Sequence, residues 1–221
     1  MSRAAGRGFA GLLLIAALTV PVRADFSFQY ADHSYLVVTQ GRAWDAAAAD
    51  ARSRVLFGTT GYLTHIESAA ENQAIRAQLL ANIPSSSFNS TRAPDGGNGA
   101  YVWIGATDRN VEGTWIWDGD GDGVGTPFWQ GTGATGGPVG GAYHNWGRPG
   151  PNQREPDNSQ SLQHAGGISL DGWPFGDAGM WNDVRPTDSL FYVVEFNAVP
   201  EPASVALLTF ALSSLALRRR D

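Results

Sequence analysis

The hydrophobic pattern near the start of the chain predicts two short strands followed by a helix. Aromatic and β-branched residues predominate from Phe26 to Thr39, and polar residues at 32–34 interrupt them, which is typical of a pair of short strands. Residues 44–54 are rich in alanine and contain neither glycine nor proline. This composition predicts the first helix.

A capping signal indicates a second helix. Ser68 and Glu71 have the spacing of a capping box, in which Ser68 accepts a hydrogen bond from the amide of Glu71 while Glu71 reaches back toward the helix start. Ala74, Ile75 and Leu79 follow at helical spacing. We therefore expect these three side chains to face the core.

Tryptophans in the middle of the chain predict two strands on either side of a turn. Trp103 and Gly105 belong to the first strand, and Trp115 and Trp117 belong to the second. Strand side chains repeat every two residues, so Trp115 and Trp117 share a face. These tryptophans could stack on a sugar, but core packing is the favoured interpretation.

Two segments have the composition of irregular loops. Residues 84–98 are rich in Ser, Gly, Asn and Pro without periodicity, which predicts a mobile loop. Residues 131–150 are dominated by Gly and Pro, and Tyr143 and Trp146 are the expected anchors. Long irregular loops of this kind are usually functional or disordered.

The chain begins with the pattern of a secretory signal peptide. Within residues 1–24, Arg3 and Arg7 precede an apolar stretch at 9–20, and the small residue Ala24 marks the expected cleavage site. An uncleaved anchor is the weaker interpretation, because the stretch is shorter than the roughly 20 residues that span a bilayer. We therefore expect export and a single domain at residues 25–198.

The charge of this domain excludes several classes of partner. The chain has 15 basic residues, all Arg, of which six lie in the terminal segments, while only two of its 21 acidic residues do. Nine positive and nineteen negative side chains remain, a net charge near −10. This argues against nucleic acid or anionic lipid as a partner. Cysteine is absent, so disulfides cannot hold the loops even though export would permit them.

Two short motifs carry the candidate chemistry. Glu155-Pro156-Asp157-Asn158 lies in a loop rich in Gly, Pro and Asn, and Trp181-Asn182-Asp183 follows some two dozen residues later. Carboxylate and amide oxygens are the hard ligands that calcium prefers. The motifs therefore indicate binding rather than catalysis.

An ordered series of motifs resembles the C-type lectin-like domain over residues 28–196. Ahead of the two motifs above, the series contains Tyr62-Leu63-Thr64-His65-Ile66-Glu67-Ser68, Val102-Trp103-Ile104-Gly105-Ala106 and Gly113-Thr114-Trp115-Ile116-Trp117-Asp118-Gly119. The resemblance implies an α+β fold in which two helices pack on small antiparallel sheets beside a long irregular loop region. In animal members, two disulfides usually hold that region in place, and this chain has no cysteine to form them.

The resemblance implies a calcium site that also holds the sugar. The residues that match the family's ligands, and that would bind both calcium and carbohydrate, are Glu155, Asp157, Asn182 and Asp183. Calcium takes six to eight oxygen ligands, so these side chains, a backbone carbonyl and two sugar hydroxyls would about complete its shell. The family also has a cis peptide bond before the proline that matches Pro156. The alternative is that Trp-Asn-Asp is structural here, as in many domains of this fold.

Departures from the family pattern leave two questions open. Glu155-Pro156-Asp157 combines features of mannose-type and galactose-type members, so the sugar preference does not carry over. Eight residues after Glu155, where the family usually has another acidic ligand, this chain has Gln163 followed by His164. An amide contributes no charge, so calcium affinity should be lower. Residues 147–154 also lengthen the preceding loop.

A second aspartate-rich segment resembles half of a calcium loop. Asp118, Asp120 and Asp122 alternate with glycines as in an EF-hand, but Trp129 occupies the position of the required glutamate. We interpret the segment as a turn between strands, with a weak separate calcium site as the alternative.

The end of the chain resembles a bacterial PEP-CTERM sorting tail at residues 199–221. Pro200-Glu201-Pro202 precedes an apolar run at 205–217 and an arginine cluster at 218–220. In that family an exosortase recognises and removes the tail, so the resemblance implies transient membrane association and a cell-surface or matrix location. The run is short for a permanent anchor, which is the alternative.

The sequence thus predicts an exported binding module rather than an enzyme. The four histidines lack metal-site spacing, and neither a nucleophile elbow nor a cysteine occurs; His65 is expected to be a half-buried strand residue. The first hypothesis is calcium-dependent binding of an extracellular polysaccharide. The second is calcium-independent adhesion to another protein through the loops at 131–150.

Overall fold

The computed structural model describes residues 24–148 and 154–197. The predicted signal peptide at 1–24, apart from its last residue, and the predicted sorting tail at 199–221 lie outside the described residues. In the described ranges, no helix has the length and apolar character needed to cross a membrane.

Two α-helices and thirteen strands make up the described part of the chain. The helices are α1 (Trp44–Ser53) and α2 (Ala69–Asn82). The strands are β1 (Phe26–Tyr30), β2 (His33–Arg42), β3 (Val55–Leu56), β4 (Thr59–Thr60), β5 (Tyr62–Leu63), β6 (Arg92–Ala93), β7 (Gly99–Thr107), β8 (Thr114–Trp117), β9 (Thr126–Gln130), β10 (Gly137–Pro138), β11 (Ala165–Ser169), β12 (Trp181–Val184) and β13 (Leu190–Phe196). Short 3-10 helices lie at Ser85–Thr91, Gly133–Thr135, Val139–Gly141 and Ser159–Ser161.

The main sheet brings both ends of the domain together. Its order is β1-β2-β13-β7-β8-β9-β10, and β13 runs antiparallel to β2 but parallel to β7. β11 pairs with both β7 and β12, which places the Trp181-Asn182-Asp183 strand beside the central strands. The last strand therefore closes the fold between the first strands and the middle of the chain.

The predicted strand pair and both helices are confirmed. One face of α1 is buried, comprising Trp44, Ala47, Ala48 and Ala51. At the start of α2, the Ser68 hydroxyl accepts a hydrogen bond from the Glu71 amide at 3.2 Å. The Glu71 carboxylate reaches back to the amide of Glu67, one residue before the cap, at 2.9 Å. Ile75 and Leu79 are buried, whereas Ala74 is only half-buried.

The tryptophans form the core, as the favoured interpretation expected. Trp103, Trp115 and Trp117 are all at most 4% exposed. Trp117 stacks on Phe128 at 4.4 Å between ring centroids and meets Trp181 edge-on at 5.6 Å. Because these rings fill space between the strands, they are not available to stack on a sugar. Their burial contributes a large share of the hydrophobic stabilisation.

The anchors predicted for the Gly/Pro-rich segment also pack against this core. Trp146 is fully buried and contacts Trp115 edge-on at 4.8 Å between centroids. Tyr143 is half-buried and meets Trp181 at 5.6 Å. Two short 3-10 helices, the two-residue strand β10 and an isolated bridge from Trp146 to Trp181 interrupt the described part of this irregular segment, residues 131–148.

The segment at 84–98, predicted to be a mobile loop without periodicity, contains short regular elements. A 3-10 helix occupies Ser85–Thr91, and β6 follows it and pairs with β7. Thr91 is fully buried, and its hydroxyl accepts a hydrogen bond from the Phe191 amide at 2.9 Å. The contact spans 100 residues of sequence. A segment held by long-range contacts needs no hydrophobic periodicity of its own, so its composition gave no signal.

Candidate functional site

Strand β12 holds one half of the candidate site in the core. Trp181 is fully buried, and its indole Nε1 donates to the side-chain oxygen of Asn72 in α2 at 2.7 Å. β12 also pairs along its length with β11. Strand and helix together fix the position of Asp183, which is fully buried.

The loop that begins at Glu155 wraps onto the Asp183 carboxylate. One Asp183 oxygen accepts from the amide of Asp157 at 3.1 Å, and the other accepts from the amide of Asn158 at 2.7 Å. The Glu155–Pro156 peptide bond is cis, as the resemblance implied. Asp183 therefore organises the loop as well as contributing charge to it.

Three of the four predicted ligands meet in one cluster. Carboxylate oxygens of Glu155, Asp157 and Asp183 all lie within 4.8 Å of one another. Glu155 is 2% exposed, while Asp157 is exposed. Two buried carboxylates beside an accessible third form a set of hard oxygen donors that a divalent cation could reach from solvent.

The close carboxylates disfavour each other's ionisation. Burial raises the pKa of Glu155 to about 7, and the negative charge of Asp157 adds to this shift. Burial also raises the pKa of Asp183 well above its usual value, and the charge of Glu155 raises it further. The pKa of Asp157 is raised by burial as well. A bound cation would relieve this repulsion, because an opposite charge favours the ionised form.

Asn182, the fourth predicted ligand, is held by a hydrogen bond from its side-chain nitrogen. The Asn182 amide nitrogen donates to the Tyr101 hydroxyl at 3.0 Å, and that hydroxyl donates to the backbone oxygen of Gly96 at 2.6 Å. Asn182 is 2% exposed. With its nitrogen used in this way, only its carbonyl oxygen could serve as a metal ligand.

Gln163 has a structural role in this loop. Its side-chain oxygen accepts from the Ser159 amide at 2.7 Å, and its nitrogen donates to the Asp95 carboxylate at 3.1 Å. Gln163 is almost fully buried. Both ends of the amide are therefore engaged in joining the loop to the segment around Asp95.

Sequence reasoning missed Trp173 at the edge of the cluster. Its indole Nε1 donates to a Glu155 oxygen at 3.0 Å, and its ring meets Tyr101 edge-on at 5.7 Å between centroids. This hydrogen bond favours the charged form of Glu155 and partly offsets the effect of burial. The residue lies outside every recognisable motif, so no sequence signal could have found it.

A second group that the sequence did not predict lies beside the same loop. Asp108 and Glu112 flank the His164 imidazole, whose Nδ1 lies 3.2 Å and 3.5 Å from their respective oxygens. Asn158 links the two groups, since its side-chain nitrogen donates to Glu112 at 2.5 Å. Burial raises the pKa of Asp108 to about 6. The imidazole–carboxylate contacts fasten the loop to the β7–β8 connection.

The aspartate-rich segment at 118–123 forms a turn after β8, in agreement with the preferred interpretation. The buried Asp118 carboxylate accepts from the Gly123 amide at 3.2 Å. It also pairs with the Arg109 guanidinium at 3.0 Å. Asp118, Asp120 and Asp122 are close enough to share a cation, but Arg109 already supplies positive charge to the most buried of them.

His65 lies half-buried, as expected. His65 follows β5 rather than lying within it, and its Nε2 accepts from the Gly119 amide at 3.2 Å. Its ring stacks on Trp117 at 5.5 Å between centroids. Burial lowers the pKa of His65 to about 4, so the imidazole is neutral at physiological pH.

Comparison with known proteins identifies the fold. No protein-family model matches the chain. The chain is 27% identical over 217 residues to halomucin of Haloquadratum walsbyi, which covers 92% of this chain but only 2% of halomucin. It is 25% identical over 140 residues to perlucin of Haliotis laevigata, which covers 63% of this chain and 68% of perlucin.

Two solved structures share the overall architecture. The C-type lectin CEL-I from Cucumaria echinata superposes with a TM-score of 0.51 at 23% identity, covering 77% of this chain and 94% of CEL-I. The EPNH mutant of CEL-I gives a TM-score of 0.52 at 22% identity, covering 81% and 98%. The described part of this chain therefore has the predicted α+β, C-type lectin-like fold, and the chain contains no cysteine that could form a disulfide.

Proposed function

We propose that this chain is an exported module that binds carbohydrate through calcium. The observation that carries the proposal is the cluster of Glu155, Asp157 and Asp183, whose carboxylate oxygens lie within 4.8 Å of one another at an accessible edge of the fold. Buried carboxylates so close together are costly without a cation. The hydrogen bonds from the loop amides to Asp183 offset only part of this cost, since the pKa of Asp183 stays well above its usual value.

The donor set fits calcium better than a transition metal. The three carboxylates and the carbonyl oxygen of Asn182 are hard oxygen donors, and no thiol exists in the chain. Calcium accepts six to eight such ligands, whereas zinc prefers nitrogen and sulfur in a tetrahedral arrangement. These residues would hold the ion, and the ion would supply coordination positions for sugar hydroxyls.

The protein's own residues would orient the sugar. Ionised carboxylates accept hydrogen bonds from hydroxyl groups, and these charge-assisted bonds are shorter and stronger than neutral ones. Asp157 is the exposed member of the cluster and is the first that a saccharide would meet. Glu155 and Asp183 are held by Trp173 and by the loop amides, so their oxygens are preorganised.

The similarity to CEL-I supports this proposal at the level of the fold, because CEL-I is described as a C-type lectin. At 23% identity, however, shared architecture does not transfer a ligand. The proposal therefore depends on the carboxylate cluster, and the sugar preference follows neither from the fold nor from the Glu-Pro-Asp sequence.

Calorimetric titration tests the metal step directly. We expect saturable calcium binding to the purified protein, and loss of that binding in an Asn182→Ala, Asp183→Ala variant. An Asp120→Ala, Asp122→Ala variant is the matched control and should keep the binding. Binding that disappears only in the control would move the site to the aspartate-rich turn.

Glycan capture with and without a chelator tests the second step. Capture that calcium supports and the chelator abolishes is the expected result. Capture of a protein partner that is unaffected by the chelator and by the Asp183 variant would instead favour adhesion through the loops at 131–150.

The location proposed for the module rests on its terminal motifs. We propose cleavage after Ala24, removal of the tail by an exosortase after transient membrane association, and delivery to the cell surface or matrix, where an extracellular polysaccharide is the expected ligand. Intact-mass measurement of protein recovered from the producing cells should show loss of both terminal segments. Recovery of the full-length mass would contradict the processing scheme.

A further inference from the structure

A pocket of about 270 Å³ lies next to the carboxylate cluster. Its lining includes Arg148, Trp173, Phe175 and Asp177. Trp173 connects the pocket to the cluster, because the same indole donates its N–H to Glu155 at 3.0 Å. The pocket and the cluster are therefore close enough for one oligosaccharide to contact both.

Arg148 and Arg154 both contact the ring of Phe175, which lines this pocket. The guanidinium carbons of Arg148 and Arg154 lie 5.6 Å and 5.7 Å from the centroid of the Phe175 ring. Arg148 is also fixed by a hydrogen bond to the backbone oxygen of Pro174 at 2.8 Å. Cation–π contacts of this kind bias where the two side chains lie.

These arginines differ from most others in the described part of the chain. Five arginines there pair with carboxylates: Arg42, Arg54, Arg92, Arg109 and Arg185. Arg148 and Arg154 form no such pair with a described carboxylate, although Arg154 lies close enough to lower the pKa of Asp157. Neither guanidinium is thus held in an ion pair by a described carboxylate, so each can pair with an added anion.

Two positive charges lie together in a domain that is acidic as a whole. Nineteen acidic side chains against nine arginines make the domain strongly acidic, yet two arginines without described ion pairs converge beside the proposed sugar site. The planar guanidinium group binds carboxylates with two parallel hydrogen bonds. Asp177 on the same pocket can accept hydrogen bonds from neutral hydroxyl groups.

We propose that Arg148 and Arg154, positioned by Phe175, form a subsite for the carboxylate of an acidic saccharide next to the calcium-bound residue. This inference rests on the proposed function, because it needs a sugar at the carboxylate cluster. The ligand of such a subsite is a uronate-containing glycan rather than a neutral one. The subsite adds charge complementarity that the acidic cluster cannot itself provide.

Matched oligosaccharide pairs test the subsite. Each pair consists of a uronate trisaccharide and the same trisaccharide with its carboxyl groups reduced to alcohols, and the pairs are built on glucose, galactose and mannose rings. In calcium, the protein should bind at least one carboxylated member about tenfold more tightly than its reduced counterpart. Raising the salt concentration to about 0.5 M should shrink the difference, because exposed charges are screened.

Variants assign the preference to the pocket. Arg148→Ala, Arg154→Ala should bring both members of a pair to nearly equal affinity while leaving calcium binding in place. Phe175→Leu should reduce the preference partly, since it removes the platform and not the charges. Arg52 is an exposed arginine in α1, so Arg52→Ala is the control for the loss of positive charge and should keep the full preference.

The outcomes separate this inference from the function on which it rests. Equal binding of both members by the unaltered protein, or an unchanged preference in the double variant, would overturn the subsite while calcium-dependent sugar binding stands. If the protein binds no member of any pair in calcium, both the subsite and the proposed function are overturned.

Discussion

Replacing Glu155 by glutamine should stabilise the metal-free protein at alkaline pH. Glu155 is 2% exposed, and burial together with the charge of Asp157 raises its pKa from 4.5 to about 7. A group whose pKa is raised by folding contributes stability below its unfolded value, near 4.5, and loses that contribution as the pH rises through about 7. At about 1.4 kcal/mol per pKa unit, the ionised carboxylate costs on the order of 3 kcal/mol at pH 8.

Glutamine removes this cost without removing the local hydrogen bond. The glutamine carbonyl oxygen can still accept the hydrogen bond that the Trp173 indole donates to Glu155 at 3.0 Å. The Glu155→Gln variant should therefore be about 1–3 kcal/mol more stable than the unaltered protein at pH 8 without calcium. At pH 4, where Glu155 is already protonated, the two proteins should have nearly equal stability.

The same substitution should weaken calcium binding. Unit charges 4 Å apart interact by about 4 kcal/mol at an effective dielectric constant near 20, and calcium carries two charges, although desolvation offsets part of the gain. We expect the Glu155→Gln variant to bind calcium at least about a hundredfold more weakly, a loss of about 2.7 kcal/mol. Opposite effects on stability and on binding are typical of a residue kept for function.

Urea unfolding at pH 4 and pH 8 in a chelator, together with calorimetric calcium titration, measures both effects. Glu67→Gln makes the same chemical change at an exposed position and should alter stability by less than about 0.5 kcal/mol. A Glu155→Gln variant that is less stable than the unaltered protein at pH 8, or that binds calcium equally well, would refute the reasoning.

Three further predictions concern pH, packing and capping. Calcium affinity should fall as the pH drops below about 7, because protons compete with the metal for Glu155; calorimetry across pH 5–8 measures this, and a flat profile would exclude Glu155 as a ligand. Gly119→Ala should destabilise the domain by more than about 2 kcal/mol in urea unfolding, since the added Cβ would lie 2.1 Å from the Leu63 carbonyl oxygen; an unchanged midpoint would contradict the close approach. Ser68→Ala should cost about 1 kcal/mol by losing its bond to the Glu71 amide, whereas Ser68→Asp should retain most of the stability.

The sequence by itself determined the local elements and the composition of the core. Alternating hydrophobic positions defined β1, β2 and β8, and the alanine-rich run and the Ser68 cap defined α1 and α2. Their periodicity and capping are properties of neighbouring residues, so they are readable without a structure. The ordered motifs also identified the fold class and named Glu155, Asp157 and Asp183, which the structure brings together.

Only the tertiary structure decided which residues surround that cluster and how the loops are held. Trp173, the pairing of Arg109 with Asp118, and the 3-10 helix at Ser85–Thr91 all depend on contacts between segments that carry no matching local signal. Loop closure can bring together residues at many different separations at similar entropic cost, so sequence spacing does not select one partner. Packing of the loops against β12 makes that selection, and it joins Asp183 to amides 25 and 26 residues away.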